Sequence, residues 1–288
     1  MLIERKDSYI WKYTVKHFPT LSGLLNLAFS HGGYVAGGYP RKIVSPNLTH
    51  KEKADLFYHH MNDSDVDLWF DKQESLDKFV SIVGRDNRFV VTNSYSNYAF
   101  NINFCGKSHF FNRLSDEEKY YKVQAVKCKI GSPKEVIGDF DLVNAMIGFN
   151  KTTTWEDNTR QELENQNKLD VSNWSKPNLV SRIAKYVSEH RYSGFTTECH
   201  EKLVQWLWNE FHSTKFESNK EKLVNQQKIR TAMSALIGSN IFTSEELVLF
   251  MTIYANQPNE MSYGNEFGNP ALNKLISLGN QNDSLMVR

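Results

Sequence analysis

Apolar residues alternate with two aspartates and a tryptophan in Ser64-Asp65-Val66-Asp67-Leu68-Trp69-Phe70. This period of two predicts a β-strand with one apolar face and one acidic face. Asp65 and Asp67 then project from the same face, with Cα atoms roughly 6–7 Å apart at the rise of a strand. Divalent ions such as Mg²⁺ take oxygen ligands, so the two carboxylates suit a shared pair of ions about 3.5–4 Å apart.

The same pattern has a simpler interpretation, an amphipathic strand whose acidic face is exposed to solvent. Trp69 lies on the acidic face and makes an ordinary solvated surface less plausible. Asp63 would extend the acidic series, but beside Asn62 and Ser64 it fits better in the turn that enters the strand. Taken alone, the strand leaves both interpretations open.

A glycine pair precedes the acidic strand in Ala36-Gly37-Gly38-Tyr39-Pro40-Arg41. The apolar run before it predicts a short strand, and Pro40 suits the first turn of a following helix. In that setting the backbone N–H groups of Gly37 and Gly38 face a phosphate without interference from a Cβ, and Arg41 adds a charge-assisted contact. The alternative is that the pair is only a tight turn.

A third acid follows in Gly131-Ser132-Pro133-Lys134-Glu135-Val136-Ile137-Gly138-Asp139-Phe140-Asp141. The combination Gly-Gly-x-x-Arg, Asp-x-Asp in an apolar strand and a later acid resembles the nucleotidyltransferase superfamily, which includes DNA polymerase β, poly(A) polymerase and CCA-adding enzymes. The approach to the third acid is similar to that of uncharacterised members, often encoded by phages or viruses. A smaller likeness lies in Leu179–Tyr186 followed by Gly194-Phe195.

The resemblance implies a metal-dependent transfer of a nucleoside monophosphate from an NTP to an acceptor hydroxyl, with two Mg²⁺ or Mn²⁺ ions and release of pyrophosphate. The implied metal-binding and catalytic residues are Asp65, Asp67 and Asp141, with Asp139 as the alternative third acid. The implied nucleotide-binding residues are Gly37, Gly38, Arg41, Ser64, Arg182, Lys185 and Tyr186. For the helix that carries Arg182 and Lys185, a basic solvated face is the alternative.

Two departures separate the chain from the tRNA-processing members of the superfamily. The interval from Gly38 to Asp65 is longer than the few residues that part these motifs in CCA-adding enzymes, and Lys42 replaces the usual acid after the motif arginine. Residues 46–62 fill this interval as an insertion.

The segment pattern predicts an α+β fold, with a mixed first half and an all-helical domain after it. The resemblance implies that the first half is a nucleotidyltransferase head with a short mixed β-sheet flanked by helices. We expect the head over residues 1–150, a polar linker over 151–175 and the helical domain over 176–288, with no strand after about residue 151. The expected strands are 34–36, 65–70, 88–92, 98–104 and 122–130. The expected helices are 20–31, 73–83, 179–190, 198–211, 220–237 and 244–254.

Composition excludes several classes of protein. The 288 residues carry a net charge of only +1, so any nucleic-acid site is local. No window has the ~20 apolar residues of a membrane span, and the three scattered cysteines fit free thiols in the cytoplasm, of the host if the protein is viral. Cys105 and Cys128 fall in expected strands, which predicts buried, inert thiols. The sequence has no P-loop and no nucleophile elbow.

Charge distribution gives a hint about the acceptor. Residues 176–230 contain ten Lys or Arg against six Asp or Glu, and aromatic residues are interleaved with them. Stacking on single-stranded nucleic acid would use such aromatics, although packing of a helical core is the commoner role. This basic segment, together with the named relatives that the chain resembles, leads us to expect an RNA (tRNA-like) 3′ end as the acceptor. The alternatives are a protein or small-molecule acceptor, and a nucleotide- or nucleic-acid-binding module without turnover.

Overall fold

The computed structural model describes residues 1–46, 48–49, 53, 66–93, 98–106, 109–110, 113–114, 119–176, 179–190 and 192–212. Ser64, Asp65, most of the expected insertion over 46–62 and the helices expected over 220–237 and 244–254 lie outside this part. The chain divides into two compact units, Met1–Gln166 and Asn167–Arg288.

An eight-stranded sheet forms the centre of the first unit, in the order β1-β10-β9-β2-β3-β8-β5-β4. All of its neighbouring strands are antiparallel except β3 and β8, which are parallel. Its strands are β1 (Leu2–Arg5), β2 (Gly33–Ala36), β3 (Val66–Phe70), β4 (Val90–Asn93), β5 (Ala99–Gly106), β8 (Lys119–Val126), β9 (Ile147–Phe149) and β10 (Thr154–Asp157). A separate two-stranded ribbon pairs β6 (His109–Phe110) with β7 (Arg113–Leu114).

Helices cover the two faces of this sheet unequally. The main apolar core joins one face to α1 (Tyr9–His17), α2 (Pro19–Phe29), α3 (Gly38–Val44) and α4 (Gln73–Val83). A smaller apolar cluster covers part of the other face with α5 (Pro133–Ile137), a short 3₁₀ helix (Val143–Ala145) and α6 (Arg160–Asn165). The face that carries Asp67 is therefore only partly covered by the described helices.

The second unit, as far as it is described, pairs the short parallel strands β11 (Lys168–Leu169) and β12 (Gly194–Phe195). Helices α7 (Leu179–His190) and α8 (Thr197–His212) accompany them. The hydroxyl of Thr196 accepts from the backbone N–H of Cys199 at 3.3 Å and donates to Asp170 at 2.7 Å, which fixes the start of α8. None of the described helices combines the length and the apolar composition that crossing a bilayer requires.

The sequence predicted a mixed sheet in the first unit, but it did not predict that residues after 150 add a strand to that sheet. Residues 154–157 form β10 inside the sheet, and the first compact unit extends to Gln166. The polar sequence of β10 is buried because Glu156 accepts from Arg160 at 2.8 Å and from Arg5 at 2.9 Å. The expectation of no strand after residue 151 is therefore wrong.

Cys128 also differs from expectation. Strand β8 ends at Val126, and the backbone N–H groups of Lys127 and Cys128 both donate to the carbonyl of Tyr98. That turn places Cys128 outside the strand with its side chain exposed. The expectation of a buried thiol is wrong for Cys128, and the side chain of Cys105 lies outside the described part.

Candidate active site

The register of β2 and β3 brings the glycine turn to the acidic strand. Val35 pairs with Leu68 in an antiparallel ladder, so the chain leaves β2 at Gly37 beside Asp67. The Oδ2 atom of Asp67 lies 3.9 Å from the position that a Cβ on Gly37 would take. Asp67 itself is half-buried on the partly covered face. Two residues from separate predicted motifs are thus neighbours.

Gly37 has a backbone conformation that side chains rarely adopt, with φ at +95° and ψ at −129°. Its N–H donates to the carbonyl of Ile147 at 2.9 Å, and its carbonyl accepts from the N–H of Arg41 at 3.3 Å. The first glycine amide is therefore used to join the turn to β9 and to start α3. Gly38 has open space within 4 Å of a Cβ position, so it is the better placed of the two to approach a phosphate.

Arg41 is buried in this structure, and its contact with a phosphate stays a prediction. Its residue is only 1% exposed. Helix α3 contacts the 3₁₀ helix, and at its end the hydroxyl of Ser45 donates to Glu164 at 3.4 Å. The amide of Asn144 donates to the other oxygen of Glu164 at 3.2 Å. The sequence predicted a ligand contact for Arg41, whereas the structure places it in the interior of the first unit, where other polar and charged groups are also buried.

Phe140, the residue before the predicted third acid, lies beside the glycine turn. The Phe140 ring comes within 3.6 Å of the Cβ position on Gly37, and its centroid lies 5.8 Å from that of Trp69. Asp141, the next residue, is 1% exposed. Asp139 is instead part of a partly exposed ion pair with Lys129 at 2.5 Å. These positions favour Asp141 over Asp139 as the third carboxylate.

A capped helix holds the approach to Asp141 against the sheet. Ser132 and Glu135 form a capping box at the start of α5, which buries Val136 and Ile137 on the sheet face. The Tyr34 hydroxyl donates to the carbonyl of Gly131 at 2.9 Å and ties the segment to β2. Phe140 is thereby positioned over the glycine turn.

Oxygen ligands for a divalent metal are present, but only part of the predicted set is described. Asp67 and Asp141 are carboxylates in the same compact unit, and Asp65 lies outside the described part. Within that part no group of three or more His, Cys, Asp or Glu side chains is placed to hold a metal ion. A set of two or three carboxylates fits a hard cation such as Mg²⁺ or Mn²⁺, which completes its shell with water and phosphate oxygens.

Sequence reasoning missed a row of polar residues beside Asp67. Gln124 is the register partner of Asp67 on β8, and Asn101 is the partner of Gln124 on β5. The Gln124 amide donates to Asn101 Oδ1 at 3.1 Å. The alternation of polar and buried residues along both strands was available in the sequence, but it identifies an open face only when the order of the strands is known.

The nucleotide-binding residues predicted in the second unit differ from one another in exposure. Arg182 and Lys185 are exposed on α7. Tyr186 is buried, and its ring stacks on Tyr192 with 6.3 Å between centroids and 11° between planes. Tyr186 therefore packs against Tyr192 in the second unit, and its contact with a nucleotide stays a prediction.

The sequence matches no known protein-family model and no curated protein. In structure the chain is similar to a CCA-adding enzyme in complex with ATP, with a TM-score of 0.52 and 11% identity over 96% of this chain and 70% of the other. It is also similar to the Thermotoga maritima CCA-adding enzyme complexed with tRNA, at a TM-score of 0.47 and 12% identity over 99% of this chain and 75% of that one. These similarities give no support to the expected likeness to phage- or virus-encoded members. The chain is thus similar in fold to the first of these two structures, a CCA-adding enzyme.

Proposed function

We propose that the protein is a metal-dependent nucleotidyltransferase that transfers a nucleoside monophosphate from an NTP to the 3′ end of an RNA. The observation that carries this proposal is the junction of the Gly37 turn, Asp67 and Phe140, which lies directly before the buried carboxylate of Asp141. The similarity in fold to a CCA-adding enzyme in complex with ATP adds support. The interval between Gly38 and Asp65 is longer than in CCA-adding enzymes, so the acceptor and the product need not be the same as theirs.

The residues divide the chemistry between them. Asp65, Asp67 and Asp141 would hold two divalent ions, whose charge would offset that of the triphosphate and lower the pKa of the acceptor hydroxyl. The open space beside Gly38 would receive the triphosphate, and Asp67 would help to orient the α-phosphate only as a ligand of a bound cation. The hydroxyl oxygen forms a bond to the α-phosphorus, its proton passes to solvent, and the bond to the bridging oxygen breaks to release pyrophosphate. Catalysis of this kind is mostly positioning and charge neutralisation.

The decisive experiment removes the carboxylate charges. Asp65→Asn combined with Asp67→Asn is expected to abolish transfer while the unfolding transition stays close to that of the wild type. Asp139→Asn is the matched control, because that carboxylate pairs with Lys129 at the surface, and it should retain activity. Full activity in the double variant would contradict the assignment.

The acceptor is identified by labelling. The wild-type protein is incubated with each α-labelled NTP and Mg²⁺ or Mn²⁺, once with total RNA and once with protein extract. Label in the RNA fraction supports the proposal, and label in the protein fraction supports the alternative of a protein acceptor. Absence of label in both fractions would favour a binding module.

A further inference from the structure

Four polar side chains lie on the same face of the sheet as Asp67. They belong to β8 and β5, the two strands between β3 and the edge strand β4. Gln124 and Asn101 continue the row that begins at Asp67, and Lys122 pairs with Asn103 in the next row. Register partners on adjacent strands project from the same face of a sheet. We call Lys122, Gln124, Asn101 and Asn103 the polar strip.

The strip is a surface of ordered polar groups. Its members are half-buried, whereas the alternate residues Val123 and Ile102 on the same strands are wholly buried in the main core. The hydrogen bond from Gln124 to Asn101 holds the two amides side by side. With strands about 4.8 Å apart, the strip extends roughly 10 Å from Asp67 across the sheet.

The charge of the strip comes from a single residue. Of its four side chains only Lys122 is ionised, and none of them is acidic. The opposite edge of the sheet, formed by β1 and β10, carries acids in both strands. Lys122 therefore gives the strip one positive charge with which to contact an anionic partner.

We infer that the polar strip binds the terminal nucleotides of a single-stranded RNA and directs its 3′ hydroxyl toward Asp67. Side-chain amides offer both a donor and an acceptor, as the edges of unstacked bases and the 2′-hydroxyl require. Lys122 supplies a charge for the phosphate backbone. This inference rests on the proposed function and adds the surface that receives the acceptor.

The test compares a double variant of the strip with a control variant in the full chain. Gln124→Ala with Asn101→Ala is expected to weaken binding of a fluorescently labelled single-stranded RNA oligonucleotide about tenfold, because two hydrogen bonds to the RNA are removed. The KM for NTP should stay unchanged. Gln73→Ala is the matched control, because it removes another side-chain amide that donates a hydrogen bond, to Asp77 on α4, and it should bind RNA as the wild type does.

A second variant provides a test that remains valid if the double variant does not fold. Lys122→Gln should reduce the slope of log affinity against log salt by about 0.7, the value for one phosphate contact on a single strand. Unchanged affinity in the double variant together with an unchanged slope overturns the inference. The inference is also overturned if the KM for NTP of the double variant rises by the same factor by which its RNA affinity falls. It is overturned too if the wild-type protein transfers the label only to protein and not to RNA. If the wild type binds RNA through the strip but transfers nothing to it, the proposed function fails and the inference about binding stands.

Discussion

Gly37 shows how one backbone conformation can hold two parts of a site together. Its positive φ turns the chain out of β2, its N–H donates to the carbonyl of Ile147 on β9, and a Cβ placed on it would lie within 4 Å of Phe140 and Asp67. A side chain at this position is strained by its backbone conformation rather than by lack of space, since the nearest atom to the Cβ position is 3.6 Å away. The turn and the carboxylate are therefore coupled through the main chain.

Replacing each glycine by alanine separates these roles. Gly37→Ala should lower the free energy of unfolding by about 1–3 kcal/mol, the range for a residue forced into a sparsely populated conformation, and should reduce transfer. Gly38→Ala should leave stability nearly unchanged, because its Cβ meets nothing within 4 Å, but should raise the KM for NTP. Urea unfolding and steady-state kinetics measure both. Equal stability of Gly37→Ala and wild type would contradict the strain argument.

The capping box of α5 makes one element responsive to pH. The hydroxyl and the backbone N–H of Ser132 both donate to Glu135 at 2.8 Å, and these bonds lower the pKa of its carboxyl from the ordinary value of 4.5. A group whose folded pKa is lowered stabilises the fold above its unfolded pKa and loses that contribution as pH falls through the folded pKa. Helix α5 should therefore weaken in mild acid.

Glu135→Gln tests this directly. At pH 7 the variant should unfold at a lower urea concentration than the wild type, and the difference should shrink as the pH falls below about 4.5, where the wild-type carboxyl takes up its proton. Glu74→Gln is the control, since Glu74 lies in the first turn of α4, whose N-cap makes no side-chain bond. A difference that stays constant with pH would show that charge plays no part in the cap.

Elements with strong periodicity could be predicted from sequence, and elements stabilised by distant partners could not. Helix α4 matches its expected bounds, and β3 was expected from its alternation. Strand β10 was missed because its charges are compensated by Arg5 and Arg160, which only the fold brings close. The same limit applies to the site. Asp67 and Asp141 were named from motifs, whereas the burial of Arg41 and the row through Gln124 depend on packing.

At the scale of the whole molecule, the two compact units differ in what they contribute. The first contains the sheet, the glycine turn, Asp67 and Asp141, and so carries the described carboxylates of the candidate site. The second contributes an amphipathic helix, α7, with Ile183 and Val187 buried and with Arg182 and Lys185 exposed. Arg182 and Lys185 are thus the predicted ligand contacts of the second unit that lie on its surface.

Neutralising both cations tests whether the second unit binds substrate. If Arg182 and Lys185 bind the triphosphate or the RNA backbone, Arg182→Gln with Lys185→Gln should raise the KM of the substrate that they bind. For RNA, the slope of log affinity against log salt concentration should also fall by about 0.7 for each phosphate that these cations neutralise in the wild type. Lys202→Gln is the matched control, because Lys202 is also exposed in this unit but pairs with Glu198 at 2.5 Å. An equal effect of both changes would indicate only the overall charge of the unit, and no effect of either would identify the exposed side of α7 as a solvated face.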